Sequence, residues 1–311
     1  MGHPEPTAPY TRAASPFDLA DEATYARWRA WKLAHVPRRF EDLVVEVDDP
    51  RALTAAERSA LLGRIACCSV AVYRTRPRAA DPAALRSLGA QLGLHRLDAN
   101  WLADEDGLSR ITVSGRSDER GGFIPYTDRP IRWHTDGYYH PEGRRIRGMI
   151  LHCVQPAAEG GVNGLLDHEL AYMALRDADP AHVQALMRPD AMTIPAREDD
   201  DGVARAAQAG PVFSLDEAGA LHLRYTARTR SIVWRDDPAT RAAVQALDGL
   251  LAGGHPHLLH GRLDAGMGLV GHNLLHERSG FRDDPTRPRL LLRARYLDRA
   301  ALPGEAPWRT G

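Results

Sequence analysis

The stretch GLVGHNLLHERSGFRDDPTRPRLLLRARY, residues 268–296, decides how this chain is read. Two runs in it read as strands, Gly268–Asn273 and Arg289–Tyr296, with Ser, Gly, Asp and Pro between them. Turn-forming residues between short apolar runs mark β-structure rather than a long helix. Working outward, comparable runs recur at Leu43–Val47, Cys68–Tyr73, Arg110–Ser114, Gly148–Val154, Gly161–Leu166, Ala191–Ile194, Val212–Leu215 and Ala220–Thr226. Helical spacing of apolar residues predicts helices over Asp21–His35, from Thr54 to about Ile65, and over Pro82–Leu92, His168–Arg176, Ala181–Met187 and Ala239–Leu251. Thr54 followed three residues later by Glu57 is a capping-box pattern, and Gly93 is placed to stop the third helix. The expected fold is mainly β with flanking helices, a sandwich or jelly roll.

With 311 residues the chain can bury a substantial core, and it shows no internal repeat or low-complexity linker. The expected organisation is a disordered lead over residues 1–20 and a single domain over 21–311. Hydrophobic residues at 43% and charged residues at 26% are ordinary for a soluble protein. A formal net charge of −1 gives no basic excess for nucleic acid. No apolar run reaches the ~20 residues of a membrane span, and the N-terminus lacks the basic-then-apolar order of a secretory signal. Cys67, Cys68 and Cys153 form an odd, low count with an adjacent pair poorly placed to bridge. Three reduced thiols suit a cytoplasmic protein. The partner expected is a small-molecule substrate, with no nucleic acid and no membrane; homo-oligomer formation is left open.

Chemistry enters through His-x-Asp/Glu triplets. With 14 histidines and 41 acidic residues in the chain, about two such triplets arise by chance, so the triplet alone decides nothing. His3–Glu5 lies in the lead, and His140–Glu142 contains Pro141 and precedes Gly143, which is turn chemistry. His134–Asp136 follows Ile131 and Trp133 in a strand-like stretch ending at Gly137. On a strand, residues two apart face the same way, which would set an imidazole beside a carboxylate. Two histidines and one carboxylate on one face of iron(II) leave three sites open, the ligand set of non-haem oxygenases. The quoted stretch offers His272 and His276 for the third ligand. It also offers Arg289, Leu291, Arg293 and Arg295 on one strand face. Such a row is costly to bury without anions; the alternative is an exposed edge strand carrying arginines against aggregation.

Taken together, Trp133-His-Thr-Asp-Gly137, Gly160–Gly161, Asn273-Leu-Leu-His276-Glu-Arg278 and Arg289-Leu-Leu-Leu-Arg293 resemble the TauD/TfdA family, the taurine dioxygenase-like 2-oxoglutarate oxygenases. The resemblance covers roughly residues 125–296. It implies a double-stranded β-helix, a cupin-like jelly roll. It implies that His134, Asp136 and His276 bind Fe(II), since Arg289 falls at the family's spacing after His276. Arg289 would hold the distal carboxylate of 2-oxoglutarate, for which a guanidinium fork is well shaped. Arg293 is a secondary candidate near the substrate or co-substrate. Where the family has a Thr or Ser after the Gly-Gly pair, this chain has Asn163, whose amide can also donate.

The implied reaction couples O2 and 2-oxoglutarate to oxidation of an unactivated C–H bond, releasing succinate and CO2. Related halogenases lack the carboxylate ligand, so Asp136 points to hydroxylation. The expected substrate is a small polar or amino-acid-like metabolite, with Tyr138, Tyr139, Tyr225 and Arg228 as candidate contacts. Competing readings are a zinc hydrolase with the same His/Asp/His site, a non-catalytic metal- or metabolite-binding protein, and an iron oxidase that needs no 2-oxoglutarate.

Overall fold

Short strands dominate the protein in a computed structural model that describes residues 15–77, 81–98, 107–114, 123–199 and 202–302. The expected lead lies outside the described residues as far as position 14. Contacts divide the chain into two units, Met1–His35 with Glu305–Gly311, and Val36–Gly304. In the first, helix α1 (Glu22–His35) carries Trp28, whose ring meets Phe17 edge-on at 5.4 Å.

The second unit opens as its sequence requires. Helix α2 (Ala55–Cys68) starts at Thr54, whose hydroxyl accepts from the Glu57 N–H at 3.2 Å, while the Glu57 carboxylate accepts from the Thr54 N–H at 2.7 Å. The helix runs three residues past the expected end and stops at Ser69, which adopts φ 66°. The strand expected from Cys68 therefore begins at Val70. Helix α3 (Pro82–Gln91) ends before Gly93, whose φ of 87° suits glycine.

Ten strands build two sheets. In chain order they are β1 (Val44–Glu46), β2 (Val70–Arg74), β3 (Ser109–Ile111), β4 (Ile131–His134), β5 (Gly148–Gln155), β6 (Asn163–Leu166), β7 (Leu259–Gly261), β8 (Met267–His272), β9 (Leu275–Arg278) and β10 (Leu290–Tyr296). The larger sheet has the order β1-β2-β8-β5-β10-β3 and the smaller β7-β6-β9-β4. All pairs are antiparallel except β1 with β2. From β4 onward the chain keeps crossing between the sheets, which is the jelly-roll, double-stranded β-helix expected from the sequence. Helices α4 (His168–Ala178), α5 (Pro180–Leu186) and α6 (Pro238–Gly249), with several two- and three-stranded ribbons, fill the long connection between β6 and β7.

Strand β10 explains how one sheet serves two purposes. Its Leu292, Ala294 and Tyr296 join a core with Leu61, Leu62 and Ile65 of α2 and Leu85 and Leu88 of α3. The period of two then turns Leu291, Arg293 and Arg295 to the opposite face. The strand lies between β5 and β3, so the reading of an arginine-decorated edge strand is not what forms. Arg289 and Arg295 are only 4% and 5% exposed. No helix among the described residues is long and apolar enough to cross a membrane.

Candidate active site

The smaller sheet brings two distant histidines into register. His276 of β9 is paired across the ladder with His134 of β4, and their rings lie 4.2 Å apart between centroids. Asp136 completes the cluster: one donor atom from each of His134, Asp136 and His276 lies within 4.8 Å of the others. Among the described residues this is the only such cluster. His272, at the end of β8, lies outside it, with its ring 6.4 Å from that of His168.

Each imidazole is oriented by its own strand. His134 Nδ1 lies 2.9 Å from the Arg132 carbonyl, and His276 Nδ1 lies 3.0 Å from the Leu274 carbonyl. A carbonyl only accepts, so each Nδ1 carries a proton, which leaves Nε2 as the ring nitrogen available to a metal. Burial, helped by neighbouring His276, pushes the pKa of His134 down to about 3 against the pull of Asp136. Burial would raise the Asp136 pKa, but Arg293, then Arg295, hold it well below the usual carboxylate range. The set is therefore two imidazoles, His134 neutral at physiological pH, and one carboxylate. Asp136 Oδ1 accepts from Arg293 Nη1 at 3.2 Å. Its Oδ2 is buried with no hydrogen-bond partner among the described residues. A buried, unpartnered anionic oxygen beside two imidazole nitrogens fits a divalent cation such as Fe(II).

One sequence expectation is corrected here. Asp136 is not on the strand with His134, because β4 ends at His134 and the chain turns through Asp136 and Gly137, where φ is 66°. The turn, not the pleat, presents the carboxylate. It is held by Asn273, which the sequence reading passed over as part of a motif.

Arg289, just before β10, lines a small cavity with Asn163, Gly160, Gly161, Cys153 and Leu291. Its guanidinium lies over the Phe281 ring at 4.9 Å, with the Arg278 guanidinium over the same ring at 4.6 Å. Arg278 donates from Nη2 to the Thr127 and Arg129 carbonyls, whereas the Arg289 guanidinium has no hydrogen bond or ion pair among the described residues. Burial lowers the Arg289 pKa. Gly160 and Gly161 both have positive φ, 73° and 69°, and a Cβ on Gly160 would stand 2.3 Å from the Gly280 carbonyl oxygen. Asn163 lines the same cavity, and among the described residues its side chain makes only a long 3.5 Å contact to the Gly261 carbonyl.

The other candidate contacts separate. Tyr138 and Tyr139 follow the turn and meet edge-on at 5.2 Å. The Tyr139 hydroxyl accepts from Arg295 Nη1 at 3.1 Å, and Arg295 is paired with buried Asp98 at 2.6 Å. Arg205 places its guanidinium 5.7 Å from the Tyr139 ring centroid. Tyr225, by contrast, is buried, and its hydroxyl donates to Asp248 of α6 at 2.9 Å. Only its backbone approaches the site, through Thr135. Arg228 is exposed beside a short turn. Neither side chain joins the cluster.

Three convergent donors, His134, Asp136 and His276, in a double-stranded β-helix fit one class of site, a non-haem iron centre. Residues 34–295 match the family described as Taurine catabolism dioxygenase TauD, TfdA family, and the chain belongs to that family. It is an Fe(II)- and 2-oxoglutarate-dependent dioxygenase that acts on a small molecule. Curated relatives include a uridine-5'-phosphate dioxygenase from Streptomyces sp, 34% identical over 212 residues, covering 63% of this chain and 70% of the relative. Another from Amycolatopsis sp is 35% identical over 171 residues, and this chain covers 60% of it. In fold, the chain is similar to the non-haem iron oxygenase OrfP in complex with Fe and alpha-ketoglutaric acid. The TM-score is 0.57, with 18% identity, 91% of this chain and 92% of that chain covered.

Proposed function

We propose that this dioxygenase hydroxylates a nucleoside phosphate of the uridine-5'-phosphate kind, using His134, Asp136 and His276 as its iron ligands. The observation that carries the ligand assignment is the convergence of three donors within 4.8 Å with one carboxylate oxygen left unpartnered. The names of the relatives from Streptomyces sp and Amycolatopsis sp support the substrate class. When bound, iron(II) and 2-oxoglutarate supply the O2-derived oxidant, with succinate and CO2 as co-products.

The residues of the chain then divide the work. Arg289 offers its guanidinium to the distal carboxylate of 2-oxoglutarate, and Asn163 offers its amide in the same cavity. Arg293 keeps Asp136 ionised and aimed by donating to Oδ1. Tyr138, Tyr139 and Arg205 lie on the side reached by the turn that carries Asp136, where hydroxyl and guanidinium groups suit a sugar phosphate. All of these groups lie in the Val36–Gly304 unit, to which we assign the chemistry. The three free cysteines support a reducing, cytoplasmic setting.

The test has two stages. Anaerobic addition of iron(II) and then 2-oxoglutarate should give a weak visible charge-transfer band only when both are present. Succinate release is then compared for uridine-5'-phosphate, uridine, asparagine and arginine. Stimulation by the nucleotide alone is expected; stimulation by an amino acid alone would overturn the substrate class while leaving the ligands standing.

A further inference from the structure

We infer that Asn273 is the positioning residue for the Asp136 carboxylate, fixing both that ligand and the tyrosine-bearing loop behind it against the β9 histidine. The inference rests on the reading of Asp136 as a metal ligand.

His134 and His276 need no special support, because each sits on a strand whose backbone is fastened by ladder hydrogen bonds. Asp136 lies beyond the end of β4, in a turn that no ladder among the described residues holds. Asn273 takes the place of the missing strand. Its Oδ1 accepts from the Asp136 N–H at 2.8 Å, and its Nδ2 donates to the Asp136 carbonyl at 2.8 Å. The side-chain amide thus pairs with both backbone groups of one residue, as a neighbouring strand would. The second Nδ2 hydrogen goes to the Ile146 carbonyl at 2.8 Å, and the Asn273 backbone N–H goes to the Arg147 carbonyl at 3.0 Å.

One residue therefore fastens both ends of the segment 136–147. The neck is closed further by Gly137, where a Cβ would lie 2.5 Å from Ile146 Cγ1. Tyr138 and Tyr139 ride on the segment so formed. Asn273 stands three residues before His276 and is 3% exposed, so the link from one ligand to the other is short and dry. Both amide hydrogens are committed to the backbone, which leaves no donor for substrate and makes the role positional.

The experiment measures Mn(II) affinity by electron paramagnetic resonance, with thermal unfolding of the metal-free and Mn(II)-loaded protein alongside. The variants are Asn273→Ala, Asn273→Asp and, as reference, Asp136→Ala. Losing a group that orients a ligand typically weakens metal binding about 10- to 100-fold, the loss expected of Asn273→Ala. Asn273→Asp keeps the acceptor for the Asp136 N–H and loses both donors, so it should also bind Mn(II) more weakly. In both, the rise in Tm on adding Mn(II) should shrink. The proposal is overturned if either folded variant binds Mn(II) within twofold of wild type. It is also overturned if neither variant folds, since Asn273 would then be a purely structural residue. If Asp136→Ala itself binds Mn(II) like wild type, the ligand reading fails instead, whatever Asn273 does.

Discussion

Replacing Arg289 with Met should weaken 2-oxoglutarate binding while making the ligand-free protein no less stable, and the two effects come from the same observation. The Arg289 guanidinium is buried, and among the described residues it has neither hydrogen bond nor ion pair; it lies over the Phe281 ring at 4.9 Å, and the Asp283 carboxylate attracts it without pairing. A cation over an aromatic face contributes about 0.5–2 kcal/mol. Burying an unpaired ion costs several kcal/mol even after relaxation. Methionine fills a similar length without that cost, so stability without ligand should stay level or rise by about 1 kcal/mol. With 2-oxoglutarate bound, Arg289 would gain its carboxylate partner. Charge-assisted hydrogen bonds contribute about 1.5–3 kcal/mol each, so losing even one raises the dissociation constant by roughly 10- to 150-fold. The assay is the charge-transfer band titrated with 2-oxoglutarate, beside urea unfolding of the metal-free protein. An unchanged 2-oxoglutarate affinity would refute the assignment. A metal-free protein destabilised by several kcal/mol would refute the account of Arg289 as a cation awaiting its anion.

The α2 cap, the Gly160 turn and a buried histidine give three further outcomes. Thr54→Ala removes one half of the capping box of α2 and should cost about 1 kcal/mol in urea unfolding, with activity unchanged. Gly160→Ala forces a side chain into φ 73° and against the Gly280 carbonyl, so a loss of at least about 1–3 kcal/mol is expected, with weaker 2-oxoglutarate binding. His152 has its pKa pushed down to about 4 by burial, with Asp81 opposing, and its Nδ1 lies 3.0 Å from the Tyr73 hydroxyl. A histidine depressed in the folded state contributes stability that is present above about pH 6.5 and fades as pH falls toward 4; the window corresponds to roughly 3 kcal/mol. His152→Asn should flatten that part of the pH–stability curve, and an unaltered curve would count against burial as the cause.

The parts of this protein legible in the sequence are those set by near neighbours. The α2 cap needs only Thr54 and Glu57, and both sit where their spacing requires. The strands at Gly148–Gln155 and Leu290–Tyr296 were readable from apolar runs bounded by turn residues. His134 and Asp136 were legible as a triplet in a strand-like stretch and His276 by its family spacing before Arg289, and the fold brings the three together. What stayed hidden depends on distance along the chain. Asn273 meets Asp136 across 137 positions, and no local pattern marks an asparagine as a substitute for a strand. Likewise, Asp98 joins Arg295 from 197 residues away. Tyr225 was misjudged for the converse reason: its place beside a basic run suggested a pocket, but Asp248 of α6 takes its hydroxyl.

Strand β10 presents core residues on one face and site arginines on the other, so a slip of one residue would drive Arg293 and Arg295 into the packing beneath α2 and α3 while expelling Leu292 and Tyr296. A chain that aligns this strand wrongly cannot yield a well-packed molecule with a disordered site; it yields an unfolded one, open to proteases.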